Sequence, residues 1–233
     1  MTRSFFKIFE PFSEVTAILS ESSGGSMRPV EARRRFAESA GIPTNRLFYA
    51  EQMHGPIVSI VRDDSDARMA GCDGLLTDLP DTALSIIVAD CLPVYVYDPK
   101  RGVIGILHAG WRGLAGNIAR VFSETARKEF GSEPEDFMVG IGPGIGPCHF
   151  EVGEEVSDKF RDYEAAVPPK RRDGRAFLNL PQIAAFQFEE LGVPHPQIEI
   201  SLDCTYCLSE KYFSRRRDGA GSGNMLAVIC RKR

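Results

Sequence analysis

Two short apolar runs, Leu84-Ser85-Ile86-Ile87-Val88 and Val103-Ile104-Gly105-Ile106-Leu107, constrain this chain more than anything else in it. Each is too short for a core helix, rich in β-branched residues and almost free of polar alternation. That pattern predicts strands covered on both faces. Both runs lead into reactive side chains. The first enters Ala89-Asp90-Cys91-Leu92-Pro93, and the second enters His108-Ala109-Gly110-Trp111-Arg112-Gly113. A third segment, Glu51-Gln52-Met53-His54-Gly55, follows the strand-like Leu47-Phe48-Tyr49-Ala50 in a turn-like setting. The two imidazoles and one thiolate of His54, Cys91 and His108 are a suitable set of ligands for zinc. Three protein ligands rather than four leave a coordination position open, as in catalytic sites. Spacing alone does not force this, because no CxxC or HxxxH pattern joins the three, and a free cysteine after an apolar run is also a small buried hydrophobe.

The chain of 233 residues is 43% hydrophobic and 26% charged, with a formal net charge of -4. Those values suit a globular protein with a sizeable core and give no electrostatic case for nucleic acid. Three basic clusters, Arg33-Arg34-Arg35, Lys170-Arg171-Arg172 and Arg215-Arg216-Arg217, read as solvated faces or loops. No apolar run approaches the roughly 20 residues that span a bilayer. Glu10 and Pro11 interrupt the N-terminus before a signal-peptide core forms. Six dispersed cysteines do not resemble a disulfide framework, so a reducing cytoplasm is expected.

Along the chain, one or two strands are expected in residues 3–20, a helix over 29–40 and strands over 47–50 and 57–61. A turn at Cys72-Asp73-Gly74 feeds a short strand. Two strands end near Cys91 and His108. A helix is expected over 117–130, a strand over 137–141, helices over 154–160 and 180–191, and strands over 198–202 and 225–229. Strands and helices interleave without clean βαβ alternation. The expectation is one α/β (α+β) domain over residues 1–233, with mixed sheets flanked by helices.

Several side chains carry two readings. Arg112 either forks a phosphate beside the metal or forms a surface salt bridge. Trp111 is a pocket wall or a core residue. Asp73 is an acid/base, a support behind the metal ligands, or a turn cap. The stretch 142–147 is glycine-rich but lacks the order of a P-loop or dinucleotide site, so it is a pocket-lining loop or a plain turn. Cys148-His149 could ligate metal, whereas Cys204-Thr205-Tyr206-Cys207 has no second pair at zinc-ribbon spacing and reads as packing.

Taken in order, these motifs, with Gly140-Ile141-Gly142-Pro143 and Phe213-Ser214-Arg215-Arg216-Arg217-Asp218, strongly resemble the YfiH-like laccase-domain family. Its members are variously called polyphenol oxidoreductase, purine nucleoside phosphorylase and peptidoglycan editing factor. The resemblance implies a mixed α/β domain related to the deamidase of cytotoxic necrotizing factor, with zinc held by His54, Cys91 and His108. It implies phosphorolysis of adenosine, inosine and methylthioadenosine, and deamination of adenosine. Catalytic roles would fall to Cys91, His108, Arg112 and Asp73, and substrate contacts to Arg112 and Trp111. The partners would be a nucleoside and phosphate, with no nucleic acid or membrane, and the expected state is a monomer. Two departures stand out. Gly24-Gly25-Ser26 shortens the family's Gly-Gly-Val-Ser loop, and Gly223-Asn224 stands where Gly-Arg is common, removing an anion contact.

Two other functions compete. Cys91 could be a nucleophile with His108 as its base, in an amidase acting on a peptidoglycan precursor. A non-catalytic zinc module would need a fourth ligand, and Cys72 is the candidate. Copper could occupy the same ligands, but a multicopper oxidase needs far more than the four histidines present.

Overall fold

The apolar runs become the middle of two stacked sheets. The computed structural model describes residues 5–163 and 176–233, so the Lys170-Arg171-Arg172 cluster lies outside the described residues. In chain order the strands are β1 (Val15–Leu19), β2 (Leu47–Ala50), β3 (Val58–Ile60), β4 (Arg68–Met69), β5 (Gly74–Thr77), β6 (Thr82–Val88), β7 (Leu92–Asp98), β8 (Val103–Ala109), β9 (Met138–Ile141), β10 (Glu151–Val152), β11 (Ala176–Phe177), β12 (Ile198–Ile200) and β13 (Met225–Arg231). The helices are α1 (Val30–Ser39), α2 (Trp111–Ala115), α3 (Ile118–Phe130), α4 (Glu154–Ser157), α5 (Leu180–Glu190) and α6 (Arg215–Asp218).

One sheet has the order β1-β13-β6-β2-β4 and the other β12-β9-β7-β8-β5-β3, while β10 and β11 form a separate ribbon. Both large sheets are mixed. β6 pairs antiparallel with β13 and parallel with β2; β9 pairs antiparallel with β7 and parallel with β12.

Side-chain alternation on β7 shows how the layers are held. Tyr95 and Tyr97 point toward the other sheet, into a core shared with Leu84, Ile86, Ile106 and Ala227. Val94 and Val96 point the opposite way, into a core with Phe122 of α3 and Phe188 of α5. Ile18, Leu226 and Val228 meet Ala37 of α1 on the far side of the five-stranded sheet. The order is therefore helix, sheet, sheet, helix, and the central strands have no face left for water. Continuous apolar runs follow from that burial.

The one or two strands expected in residues 3–20 correspond, among the described residues, to β1; Lys7–Phe9 is a 3-10 turn beside the buried Phe6 and Phe9, with Phe6 edge-on to Tyr95 at 5.4 Å. Two details differ from the sequence expectation. The helix expected over 154–160 divides into α4 and a 3-10 stretch, Asp158–Tyr163, within which Phe160 leaves helical geometry with φ -119° and ψ 20°. β7 starts directly after Cys91 and was not anticipated. Among the described residues no helix is long and apolar enough to cross a membrane.

Asn117 starts α3 in the left-handed region, with φ 51° and ψ 60°, and its Oδ1 accepts from Arg120 N at 3.0 Å. Asn117→Ala loses the cap and puts an ordinary Cβ in that region, costing about 2 kcal/mol, whereas Asn117→Gly costs a few tenths. Urea denaturation of both variants should give that order; equal losses would refute it.

Candidate metal centre and its cleft

The chain passes from the five-stranded to the six-stranded sheet between β2 and β3, and again between β6 and β7. These crossings carry His54 and Cys91. Antiparallel pairing of β7 with β8 sets Leu92 opposite Ala109 and Pro93 opposite His108. Cys91, one residue before β7, and His108, next to last in β8, therefore meet at one end of the sheet. Gln52 pins the first crossing: its amide donates to Ile87 O at 2.8 Å and accepts from Ile87 N at 2.9 Å. His54 (φ 61°) and Asp90 (φ 82°) both adopt left-handed backbone, a cost that clusters at functional sites. The Asp90 carboxylate is held by the Thr205 hydroxyl at 2.7 Å and the Arg216 N–H at 2.7 Å.

Ligand atoms of His54, Cys91 and His108 lie within 4.8 Å of one another. The two imidazoles stand edge-on, with centroids 4.7 Å apart. A Cβ on Gly110 would come 2.8 Å from Cys91 Sγ, so the glycine in His108-Ala109-Gly110 is required by the sulfur.

Asp73 organises the group. It is fully buried, and β5–β8 pairing, with Gly74 opposite Leu107, brings it beside His108. Its Oδ1 accepts from His54 N at 2.8 Å and from His108 Nδ1 at 2.8 Å, and its Oδ2 accepts from Met53 N at 3.0 Å and Gly55 N at 2.8 Å. With Nδ1 donating to the carboxylate, His108 presents Nε2 to the cluster, the usual arrangement behind a metal-ligating histidine. Each Asp73 oxygen thus already accepts two hydrogen bonds. Burial would raise the Asp73 carboxyl, yet His108 and the peptide N–H groups bring it below its ordinary value. Burial likewise pushes the Cys91 thiol up, but His108 and His54 draw it down to about 6. Burial pushes His108 down, and Cys91 with Asp73 holds it up at about 9.

The donor set fits a borderline metal such as zinc: one thiolate and two imidazoles, one of them oriented by a carboxylate. Among the described residues no fourth ligand joins it. Cys72, the candidate fourth ligand, sits in the core between the sheets with its Sγ 3.4 Å from Met69 O, which corrects that expectation.

The centre lies where two lobes of a cleft meet, and His54, Ala89, Cys91 and Arg215 line both. One lobe, of about 510 Å³, carries Arg28, Arg33, Arg68, Tyr49 and Asn224. The other, of about 360 Å³, carries Trp111, Arg112, Ile145 and Phe150. The Arg112 guanidinium stacks 4.2 Å over the Trp111 ring. Arg33 and Arg215, read as members of solvated clusters, face the cleft. Arg28 and Arg68 had no local sequence signal. The anion contact missing at Asn224 has a neighbour in its place: Asn224 Oδ1 accepts from Arg28 Nε at 2.7 Å, and Ser26 Oγ of the shortened loop accepts from Asn224 N at 3.2 Å. The Cys204–Cys207 pair, read as packing, instead gathers with Cys148 and His149 into a second set of potential ligands.

In chelator-treated protein, iodoacetamide labelling of Cys91, followed by mass spectrometry, should rise as pH passes through about 6. His108→Ala should move that midpoint upward, because the imidazolium no longer stabilises the thiolate. A wild-type midpoint near the ordinary thiol value of about 8.5 would refute the pairing.

Residues 19–232 match the family described as multi-copper polyphenol oxidoreductase laccase. Over 217 residues the chain is 37% identical to purine nucleoside phosphorylase YlmD of Geobacillus stearothermophilus, covering 87% of this chain and 78% of that protein. It is 29% identical over 219 residues to adenosine deaminase RL5 from an unknown prokaryotic organism, covering 89% and 83%. The crystal structure of the Bacillus licheniformis hypothetical protein YfiH superposes with a TM-score of 0.87 at 31% identity, covering 94% of this chain and 93% of that one. With the match running nearly end to end and the His54, Cys91, His108 cluster at its centre, this chain belongs to the multi-copper polyphenol oxidoreductase laccase family.

Proposed function

We propose that this chain is a monomeric, cytoplasmic, zinc-dependent purine nucleoside phosphorylase that also deaminates adenosine, acting on adenosine, inosine and methylthioadenosine. One observation carries the proposal: a three-ligand cluster opens onto an arginine-lined, two-lobed cleft. The names of the relatives, purine nucleoside phosphorylase for YlmD and adenosine deaminase for RL5, support the two reactions. Six free cysteines suit a reducing compartment.

His54, Cys91 and His108 would hold the zinc, and Asp73 would fix the His108 ring. Zinc held there would supply Lewis acidity toward an oxygen nucleophile, phosphate or water. Arg112 and Arg215 would grip phosphate through paired N–H groups, aiming an oxygen at the ribose C1′. Trp111 and Phe150 offer apolar faces to the departing purine. Without phosphate, water would be directed at C6 of adenosine, replacing the amino group.

A second reading has one observation in its favour. The Cys91 thiol, drawn to about 6 beside His108, matches an activated nucleophile in an amidase acting on a peptidoglycan precursor. A non-catalytic zinc module at this centre is disfavoured because no fourth ligand joins it among the described residues, and copper oxidation because the chain has only four histidines.

Incubation with adenosine and phosphate should yield adenine and ribose 1-phosphate, and without phosphate inosine; His108→Ala should abolish both. Absence of both products from zinc-loaded wild type would overturn the proposal and leave the amidase reading. Asp73→Asn, which sets an NH2 group against donors, should weaken zinc binding at this centre by about 10–100-fold in competition with a chelating dye. Unchanged affinity would remove Asp73 from its positioning role.

A further inference from the structure

A second cluster lies outside the centre described above, on two loops that the proposed reaction does not use. Cys148 and His149 sit on the loop after β9, and Cys204 and Cys207 on the loop after β12. The Cys148 Sγ is 3.6 Å from Cys204 Sγ and 3.6 Å from Cys207 Sγ, and Cys207 Sγ is 3.3 Å from His149 Nδ1. All four ligand atoms lie within 4.8 Å of one another. Around a tetrahedral zinc with bonds of about 2.3 Å to sulfur and about 2.0 Å to nitrogen, sulfur–sulfur edges are about 3.8 Å and sulfur–nitrogen edges about 3.5 Å. The observed separations are close to these edges and well beyond the roughly 2.05 Å of a disulfide.

Packing does not explain the cluster. Cys148 and Cys207 are exposed, whereas a structural free cysteine is normally buried in a core. The surroundings are instead ordered around the sulfurs and their two loops. Gly146 N–H donates to Cys204 Sγ at 3.2 Å. The His149 ring stacks on Tyr206 with centroids 4.0 Å apart, which sets its orientation. Arg217 donates to Thr205 O and Tyr206 O at 2.8 and 3.0 Å, and Arg216 donates to Glu151 O at 3.0 Å. Three thiolates and a neutral imidazole around a dication carry one net negative charge, with these two guanidiniums beside it.

We propose that Cys148, His149, Cys204 and Cys207 form a second zinc site, closed by four protein ligands and therefore structural. Its place in the fold gives it a task. The two loops already meet through Thr205 N to Gly144 O at 3.0 Å, and Thr205 and Arg216 hold Asp90, the neighbour of Cys91. The ion clamps the loops that brace the crossing into β7 and carry Phe150 and Arg215 into the cleft. The inference is independent of the reaction proposed above.

Elemental analysis of the full chain, purified under reductant with zinc supplied, tests it. Wild type should carry two zinc ions per chain. His54→Ala/His108→Ala should keep one, and cobalt exchanged into that variant should show the sulfur-to-metal charge-transfer absorption of a thiolate-rich tetrahedral site. Cys204→Ser/Cys207→Ser should lose this ion while keeping the one in the cleft, and should melt at lower temperature. Should the serine variant fail to fold, the His54→Ala/His108→Ala protein decides alone. Absence of zinc from that variant under reductant, or a disulfide among Cys148, Cys204 and Cys207 in wild type prepared without oxidant, would overturn the site. Zinc retained there with no nucleoside turnover in wild type would instead remove the proposed function and leave this site standing.

Discussion

The centre depends on one buried carboxylate. Asp73 has no contact with water, and a carboxylate in that position is tolerable only when its oxygens are fully engaged by donors. The donors come from two places. Three peptide N–H groups belong to the crossing between the sheets, and the fourth belongs to a ring at the end of β8. The interaction that lets the charge be buried therefore also shapes the turn at His54 and fixes the rotation of His108. Charge-assisted hydrogen bonds are the stronger kind, which suits a turn that must hold a non-glycine residue at φ 61°.

The layered architecture explains why the chemistry lies where it does. With helices outside and two sheets facing each other inside, the central strands are covered on both sides. Charged side chains are excluded from their middles and collect at their ends, while the hydroxyls buried there, Ser85 and Tyr95, each donate to a backbone carbonyl. The end chosen is the one where the chain passes from the five-stranded to the six-stranded sheet after β2, after β4 and after β6, which brings His54, Asp73 and Cys91 together without a short sequence motif. The cleft there is lined by arginines although the whole chain is acidic, with a net charge of -4. Local sign, rather than total charge, governs which small ligands such a concave surface attracts.

Much of this was legible in the residues. The apolar runs located β6 and β8 because double burial leaves a compositional mark, and Asn117 and Gly131 marked the ends of α3 because left-handed termini demand such residues. The set His54, Cys91 and His108 could be named because each follows a strand-like run. What escaped was what depends on tertiary contact. β7 follows Cys91 with so short a link that the reactive segment and the strand read as one. Arg28 and Arg68 enter the cleft from unrelated segments. Cys204-Thr205-Tyr206-Cys207 has the spacing of a ligand pair, but its partners, Cys148 and His149, are adjacent residues more than fifty positions away and form no second CxxC; only the pairing of β9 with β12 carries the two loops to the same place.

The short step from β6 to β7 has a further consequence. Only Ala89, Asp90 and Cys91 separate two strands that belong to different sheets, and their backbone is fixed at both ends by ladder hydrogen bonds. With β7 held in register by β8 and β9, an extra residue in that step would be taken up by the step itself, shifting Asp90 from Thr205 and Arg216 and Cys91 from the two histidines. The rim side chains Arg28, Arg112 and Asn224 stand on separate segments under no such restriction. Substitutions at the rim can therefore change what the cleft recognises without disturbing the floor that holds Cys91.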